Sequence, residues 1–228
     1  DILEKYHVTA VELGAQSTND KVLAMNRRGH TREDIFRSAR LLKERGFELG
    51  LQMMTGLYGS NDEDSIGTAR DLISLSPDTA RIYPTVVIEN TELAELYRNG
   101  EYRPQTPEEA AVLCAKILPM FERAGIKVIR LGLHSGGDVE GSFVAGAYHP
   151  ALREMCEGHI YFDIINRALS GKEKGKYIIY VAPREVSKAS GQRRCNIEKL
   201  RELGYECRIK ENAALSARDI TLEKVNLL

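Results

Sequence analysis

A carboxylate, an amide and a hydroxyl (Glu12, Gln16 and Ser17) stand where the run from Tyr6 to Gly14 stops reading as a buried strand. Such groups make directed hydrogen bonds. The trio can hold ribose hydroxyls or an amino-acid group, or do no more than cap a solvated turn. Arg27, Arg28 and His30 follow as a small basic cluster. Cations there either meet an anionic ligand or complement the C-terminal end of the short helix before them. Glu12 and His30 also permit an acid–base reading, although spacing alone sets no distance between them. Cys114, Cys156, Cys195 and Cys207 are scattered, with no three close together. They read as buried thiols of a reduced, cytoplasmic chain rather than as a disulfide framework or a metal site. His149, Cys156 and His159 match no standard zinc spacing.

Elements that would position these groups follow from periodicity. The chain has 228 residues, enough for one large domain or a medium and a small one. Its net charge of −1 excludes global steering of nucleic acid, and no apolar run is long enough to cross a membrane. Strands are predicted at 6–14, 47–54, 79–87 and 126–133. Helices alternate with them. The first is short, from Asp20 to Arg28, and Thr31 with Asp34 caps the second. The third runs from Asp62 to Leu75 with Ile66, Ala69 and Ile73 inward. The fourth is started by Thr106, Pro107 and Glu109 and is kinked at Pro119. Strand–helix alternation implies a parallel sheet with right-handed crossovers. The opening DILEKY reads as the tail of an amphipathic helix with Ile2 and Leu3 buried, so the chain looks like part of a longer one. Residues 134–149 read as a loop or linker, 150–169 as a helix, and 177–210 as a strand–helix–helix–strand unit. Residues 218–225 read as a last strand or helix.

VELGAQS (11–17), NRRGHT (26–31) and YPTVVIENTELAELYRNGEYRPQTPEEA (83–110) resemble the radical S-adenosylmethionine (SAM) superfamily. Within it they resemble the Elongator catalytic subunit and its bacterial relatives, and more distantly oxygen-independent coproporphyrinogen III oxidase. The resemblance covers about residues 1–133. It implies a partial (half) radical SAM (β/α) barrel of parallel strands. It also implies Gln16, with Glu12, on the SAM ribose, and Arg28 on the SAM carboxylate or the substrate. Met54 and Gly56 fall in the strand-five motif, where Tyr58 replaces the usual Pro, and Tyr83 falls beside the adenine. The cofactors implied for the parent protein are SAM and a 4Fe-4S cluster, with an electron donor such as flavodoxin or ferredoxin. The cluster needs a CxxxCxxC loop that these cysteines do not supply, so this chain is expected to bind no cluster and to be inert alone. An open half barrel also predicts a homodimer or a rearranged partner strand.

YIIYVAPREVSKASGQRRCNIEKLRELGYECRIKE (177–211) resembles the core of a KH domain. Gly191, Gln192, Arg193 and Arg194 occupy the place of its GxxG loop, with Arg194 replacing the second Gly. The resemblance makes Lys188, Gly191, Arg193 and Arg194 the candidate RNA contacts. Basic residues outnumber acidic ones between 172 and 201. The expected architecture is therefore α/β, with a half barrel over 1–133, a linker and helical extension over 134–169, and a small basic KH-like unit over 170–228. The parent would cleave SAM reductively and act on tRNA or on a small molecule such as a porphyrin. The alternative is an RNA-binding module without catalysis.

Overall fold

A computed structural model describes residues 2–134 and 141–225. Its helices are α1 (Ile2–Lys5), α2 (Asp20–Met25), α3 (Arg32–Glu44), α4 (Asp62–Ser74), α5 (Glu92–Arg98), α6 (Pro107–Arg123), α7 (Leu152–Leu169), α8 (Val186–Ser190) and α9 (Cys195–Glu202). Its strands are β1 (Ala10–Gln16), β2 (Glu48–Thr55), β3 (Thr79–Pro84), β4 (Val86–Ile88), β5 (Lys127–Leu131), β6 (Phe143–Gly146), β7 (Gly175–Val181), β8 (Tyr205–Glu211) and β9 (Ile220–Lys224). Contacts divide the chain into two compact units, Asp1–Leu152 and Arg153–Leu228.

In the first unit β1, β2, β3 and β5 form one parallel sheet in that order. Sequential neighbours joined by helical crossovers are the architecture of part of a radical SAM barrel. Leu49, Leu51, Met53, Ala80 and Ile82 point to one face and are buried there. Helices α3, α4 and α6 pack against these strands. From α6, Leu113, Cys114, Ile117, Leu118 and Phe121 are all buried, and apolar burial at about 25 cal/mol per Å² makes this helix a main anchor of the sheet. Glu12, Gln52, Thr79, Arg81 and Arg130 lie on the opposite face, where their side chains are exposed or half-buried.

Capping chemistry sets the helix starts. Thr31 with Asp34, Asn61 with Asp64 and Thr106 with Glu109 each form a reciprocal capping box. Helix α6 continues through Pro119 to Arg123, so the predicted kink does not end it. On α4 the buried positions are Ser65, Thr68, Ala69 and Leu72, not Ile66 and Ile73. Thr68 is turned inward because its hydroxyl accepts from the Thr18 backbone N–H at 3.1 Å, which fixes the phase of the helix. Ile2 and Leu3 are 72% and 41% exposed, so their expected burial is corrected. Strand β1 starts later than predicted because His7, at φ 54°, turns the chain after α1. Residues 143–146 of the expected linker instead form β6, antiparallel to β4. The rest of that stretch, 135–140, lies outside the described residues.

The second unit has β7 at the centre, parallel to β8 and antiparallel to β9. Tyr161, Ile165 and Leu169 of α7 join Tyr177, Ile179 and Val181 of β7 and Ile197 and Leu200 of α9 in its core. The predicted strand–helix–helix–strand order is observed, and 218–225 supplies β9.

Candidate functional site

The face of the first sheet opposite α3, α4 and α6 is built in rungs. Register aligns Gly14, Gln52, Arg81 and Arg130 in one rung. Glu12, Gly50 and Thr79 form the rung before it, and Met54 and Tyr83 pair in the one after. Strand ends converge on one mouth in barrel folds, which is where such groups can meet a ligand.

Gln16 ends β1 in the left-handed region at φ 64°, and it is 7% exposed. Its amide folds back over Gly14, where an added Cβ would lie 2.5 Å from Nε2. Gln52 Nε2 donates to Gln16 Oε1 at 3.3 Å. Ser17 faces the fold instead. Its hydroxyl accepts from the Asn19 N–H at 3.1 Å and lies 3.5 Å from Thr68 Oγ1.

Glu12 reaches across Gly50 to Arg81, with Oε1 2.5 Å from Nε. Gly50 makes this possible, because a Cβ there would meet Glu12 Cγ at 3.1 Å. Arg81 Nη1 donates to the Tyr83 hydroxyl at 3.2 Å. Arg130 stands beside Arg81, and its Nε and Nη2 are buried without a hydrogen-bond partner. Arg28 lies over the end of β2, with Nη2 3.1 Å from Met54 Sδ. A thioether is a weak acceptor, so this contact orients the guanidinium without neutralising it. His30 bonds the carbonyls of Ala15 and Arg28, at 3.2 and 3.0 Å. Glu12 and His30 are thus engaged elsewhere, and the acid–base pairing between them is not formed.

Gly56, at φ 69°, follows β2. A Cβ there would lie 2.7 Å from Gln105 Oε1. Tyr102 donates its hydroxyl to the Gly56 carbonyl at 2.6 Å, and burial pushes the Tyr102 phenol up to about 12. Gln16, Arg28, Met54 and Gly56 therefore gather at the ends of β1 and β2. Tyr83 and Glu12 are linked through Arg81. Sequence reading missed Gln52, Arg81, Arg130 and Gln105. The signal available for the first two was a polar residue at every second place of two otherwise apolar strands.

Among the described residues no three His, Cys, Asp or Glu side chains are placed to hold a metal. Cys114 and Cys207 are buried thiols, pushed up by burial to about 12 and about 11. The residues present therefore do not fit an iron–sulfur cluster. The amides of Gln16 and Gln52, the Glu12 carboxylate and the Arg28 guanidinium are groups of the kinds that hydrogen-bond hydroxyls and carboxylates.

In the second unit Gly191 is buried. A Cβ there would meet Cys195 Sγ at 2.7 Å and Asn196 Cγ at 2.9 Å. Asn196 Nδ2 donates to the carbonyls of Gly158 and Ala189, which pins the loop from below. Lys188 is ion-paired to Glu185 at 2.7 Å and to Glu157 at 3.5 Å. Gly191 is thus a packing position and Lys188 a structural cation. Of the four residues read as RNA contacts, only Arg193 and Arg194 project outward, both with positive φ.

Residues 1–72 match the radical SAM superfamily, and residues 77–161 match the radical SAM C-terminal domain. Together with the parallel sheet, these two matches define the class: residues 1–72 and 77–161 belong to the radical SAM superfamily. The tRNA uridine(34) acetyltransferase of Methanocaldococcus jannaschii is 36% identical over 125 residues, 52% of this chain and 23% of that protein. The protein of the same name from Dehalococcoides mccartyi is 29% identical over 65% of this chain and 32% of its own length. Human Elongator complex protein 3 is 32% identical over 50% of this chain and 22% of its own length. The solved Elp3 of Methanocaldococcus infernus, lacking its N-terminus, aligns with a TM-score of 0.58 at 27% identity, covering 71% of this chain and 42% of that one. The chain thus spans about a quarter to a third of the length of the curated relatives it matches.

Proposed function

We propose that this chain forms the SAM-ribose side of a radical SAM enzyme that modifies tRNA. The observation that carries the reading is Gln16. It is held left-handed at the end of β1, folded over Gly14 and bonded to Gln52. Its amide and the Glu12 carboxylate would hold the ribose hydroxyls. Arg28 would meet the SAM carboxylate or the substrate, and Tyr83 and the backbone around Gly56 would flank the base. Bound SAM supplies reductive one-electron chemistry when a cluster is present. No cluster ligand is assigned in this chain, so the activity belongs to the parent protein and the fragment alone is inert. A donor such as flavodoxin or ferredoxin completes the parent system. Pairing of two copies through β1 is part of the proposal, because β1 bonds only β2 among the described residues. Similarity to tRNA uridine(34) acetyltransferases favours tRNA over a porphyrin as substrate.

A second reading, an RNA-binding module without catalysis, draws on the outward Arg193 and Arg194. Equilibrium dialysis of SAM against the intact gene product separates the two. Gln16→Ala and Arg28→Ala should each weaken SAM binding about tenfold, the loss of roughly 1.4 kcal/mol of hydrogen bonding. Full affinity in both variants removes the assignment. Nucleoside mass analysis of tRNA from cells with and without the gene then tests the substrate.

A further inference from the structure

In the second unit, the starts of β7 and β8 and the end of β9 border an open cavity of about 860 Å³. Lys174, Gly175, Lys176, Arg201, Gly204 and Lys224 are among its lining residues. A second cavity, of about 470 Å³, shares Lys174 and adds Arg167, Asp163 and Leu203. Lys174 borders both cavities, together called the trough.

The charges in this trough are not equivalent. Lys224 is bonded to Glu173, and Lys176 lies 3.5 Å from Glu206. Those acids neutralise their partners. No ion pair engages Lys174, Arg167 or Arg201 among the described residues. Lys174 is nevertheless held in place. Its Nζ sits 4.0 Å from the centroid of the Tyr205 ring. Its stem lies on Gly204, where a Cβ would meet Lys174 Cδ at 3.2 Å. A lysine that serves solubility alone needs no such seat. Leu203 and Val225 line the trough as apolar side chains, 43% and 38% exposed.

The bland account is that these cations complement the C-terminal ends of α7 and α9. Each helix end carries about half a negative elementary charge. Three unpaired cations exceed that, and the account explains neither the seated Lys174 nor the apolar lining. A trough of fixed cations interleaved with apolar platforms is the arrangement that follows a single-stranded nucleic-acid backbone while its bases rest on apolar side chains.

We infer that the trough over Lys174, flanked by Arg167 and Arg201, is a docking track for the phosphate backbone of single-stranded RNA. The inference deepens the tRNA reading above and depends on it for the identity of the occupant. It adds a contact surface separate from Arg193 and Arg194.

The test is fluorescence anisotropy of a labelled single-stranded RNA with the full chain, at several salt concentrations. The K174E/R201E double variant is compared with the milder K174Q/R201Q and with R193E/R194E. Charge reversal should weaken binding at least tenfold. Loss of two phosphate contacts should lower the slope of log K against log salt by about 1.4, at roughly 0.7 per phosphate for single strands. The neutral variant should show the same slope change with unaltered circular dichroism, which rules out misfolding. Unchanged affinity and slope in both groove variants overturn the track, as does a wild-type chain that binds no RNA. SAM dialysis on the same groove variants should be unaffected. Unchanged RNA binding in the groove variants with intact SAM binding therefore refutes this inference alone, and RNA binding through the track in a chain that binds no SAM refutes the enzyme reading alone.

Discussion

Gln16 offers a substitution pair whose order of stability runs against the usual one. At φ 64° a residue with a Cβ carries roughly 1–2 kcal/mol of backbone strain. Gln16→Ala keeps that strain and removes the hydrogen bond to Gln52, a net loss of about 1 kcal/mol. Gln16→Gly removes the same bond but relieves the strain, against an entropic cost of roughly 0.5–1 kcal/mol. The Gly variant should therefore equal or exceed the Ala variant in stability, whereas Gly is normally the weaker of the two in a strand. Both should lose SAM affinity equally, since the amide is gone in each. Urea unfolding gives the stabilities and equilibrium dialysis the affinities. An Ala variant more stable than the Gly variant by 1 kcal/mol or more would falsify the left-handed geometry. An Ala variant that binds SAM normally would refute the role of the amide.

Further perturbations probe the frame around the site. Gly56→Ala combines φ 69° with a Cβ 2.7 Å from Gln105 Oε1, so it should cost about 1–3 kcal/mol in thermal or urea unfolding; a neutral effect would show that Gln105 does not pack there. Asp71 accepts two hydrogen bonds from Arg32 at 2.8 Å, and these hold its carboxyl below the usual 3.8. A depressed carboxylate contributes stability that is present above its unfolded pKa and lost as pH falls through its folded one. Stability should therefore decline on acidification below about pH 4, and Asp71→Asn should flatten that limb of the urea-midpoint profile. In native protein Cys195, half-buried, should label with a thiol reagent well before the buried Cys114, Cys156 and Cys207; equal rates for all four would contradict the packing.

Much of the frame was legible because helix starts are local chemistry. Thr31 with Asp34 and Thr106 with Glu109 announce their capping boxes within four residues of sequence, and both are formed. The pairing of β4 with β6 was not legible. It joins Val86–Ile88 to Phe143–Gly146 across more than fifty positions, and the second partner lies in a Gly-rich run that reads as loop. Helix α5 was missed although Thr91 caps it through the Ala94 N–H. Gln16 and Arg28 are expectations of the resemblance, and the structure places both beside the ends of β1 and β2. Their neighbours Gln52 and Arg81 were hidden because a polar residue alternating with apolar ones looks the same whether it faces water or a ligand. In the stretch 177–211, Gly191 reads as part of a GxxG-type loop that clamps a nucleic-acid backbone. Its role depends on Asn196 and Gly158 beneath it, which spacing alone does not reveal.

The alternation that concealed the site is also what constructs it. A parallel strand covered by helices on one face must present every second side chain on the other. On β2 and β3 those positions are Gly50, Gln52 and Met54, then Thr79, Arg81 and Tyr83. Residues of this length would crowd one another on a flat sheet. Gly14 and Gly50 remove two side chains where Gln16 and Glu12 must lie across the strands. The polar groups are thus held down on the sheet and linked laterally, Gln52 to Gln16 and Arg81 to both Glu12 and Tyr83. A slip of one residue in β2 would turn Leu51 and Met53 onto this face and bury Gln52 under the helices. Burial of the apolar set on the helix side therefore fixes the register that assembles these polar groups. For the same reason a core substitution such as Leu51→Ala, which costs about 2–5 kcal/mol of stability, threatens the site from a face that no ligand touches.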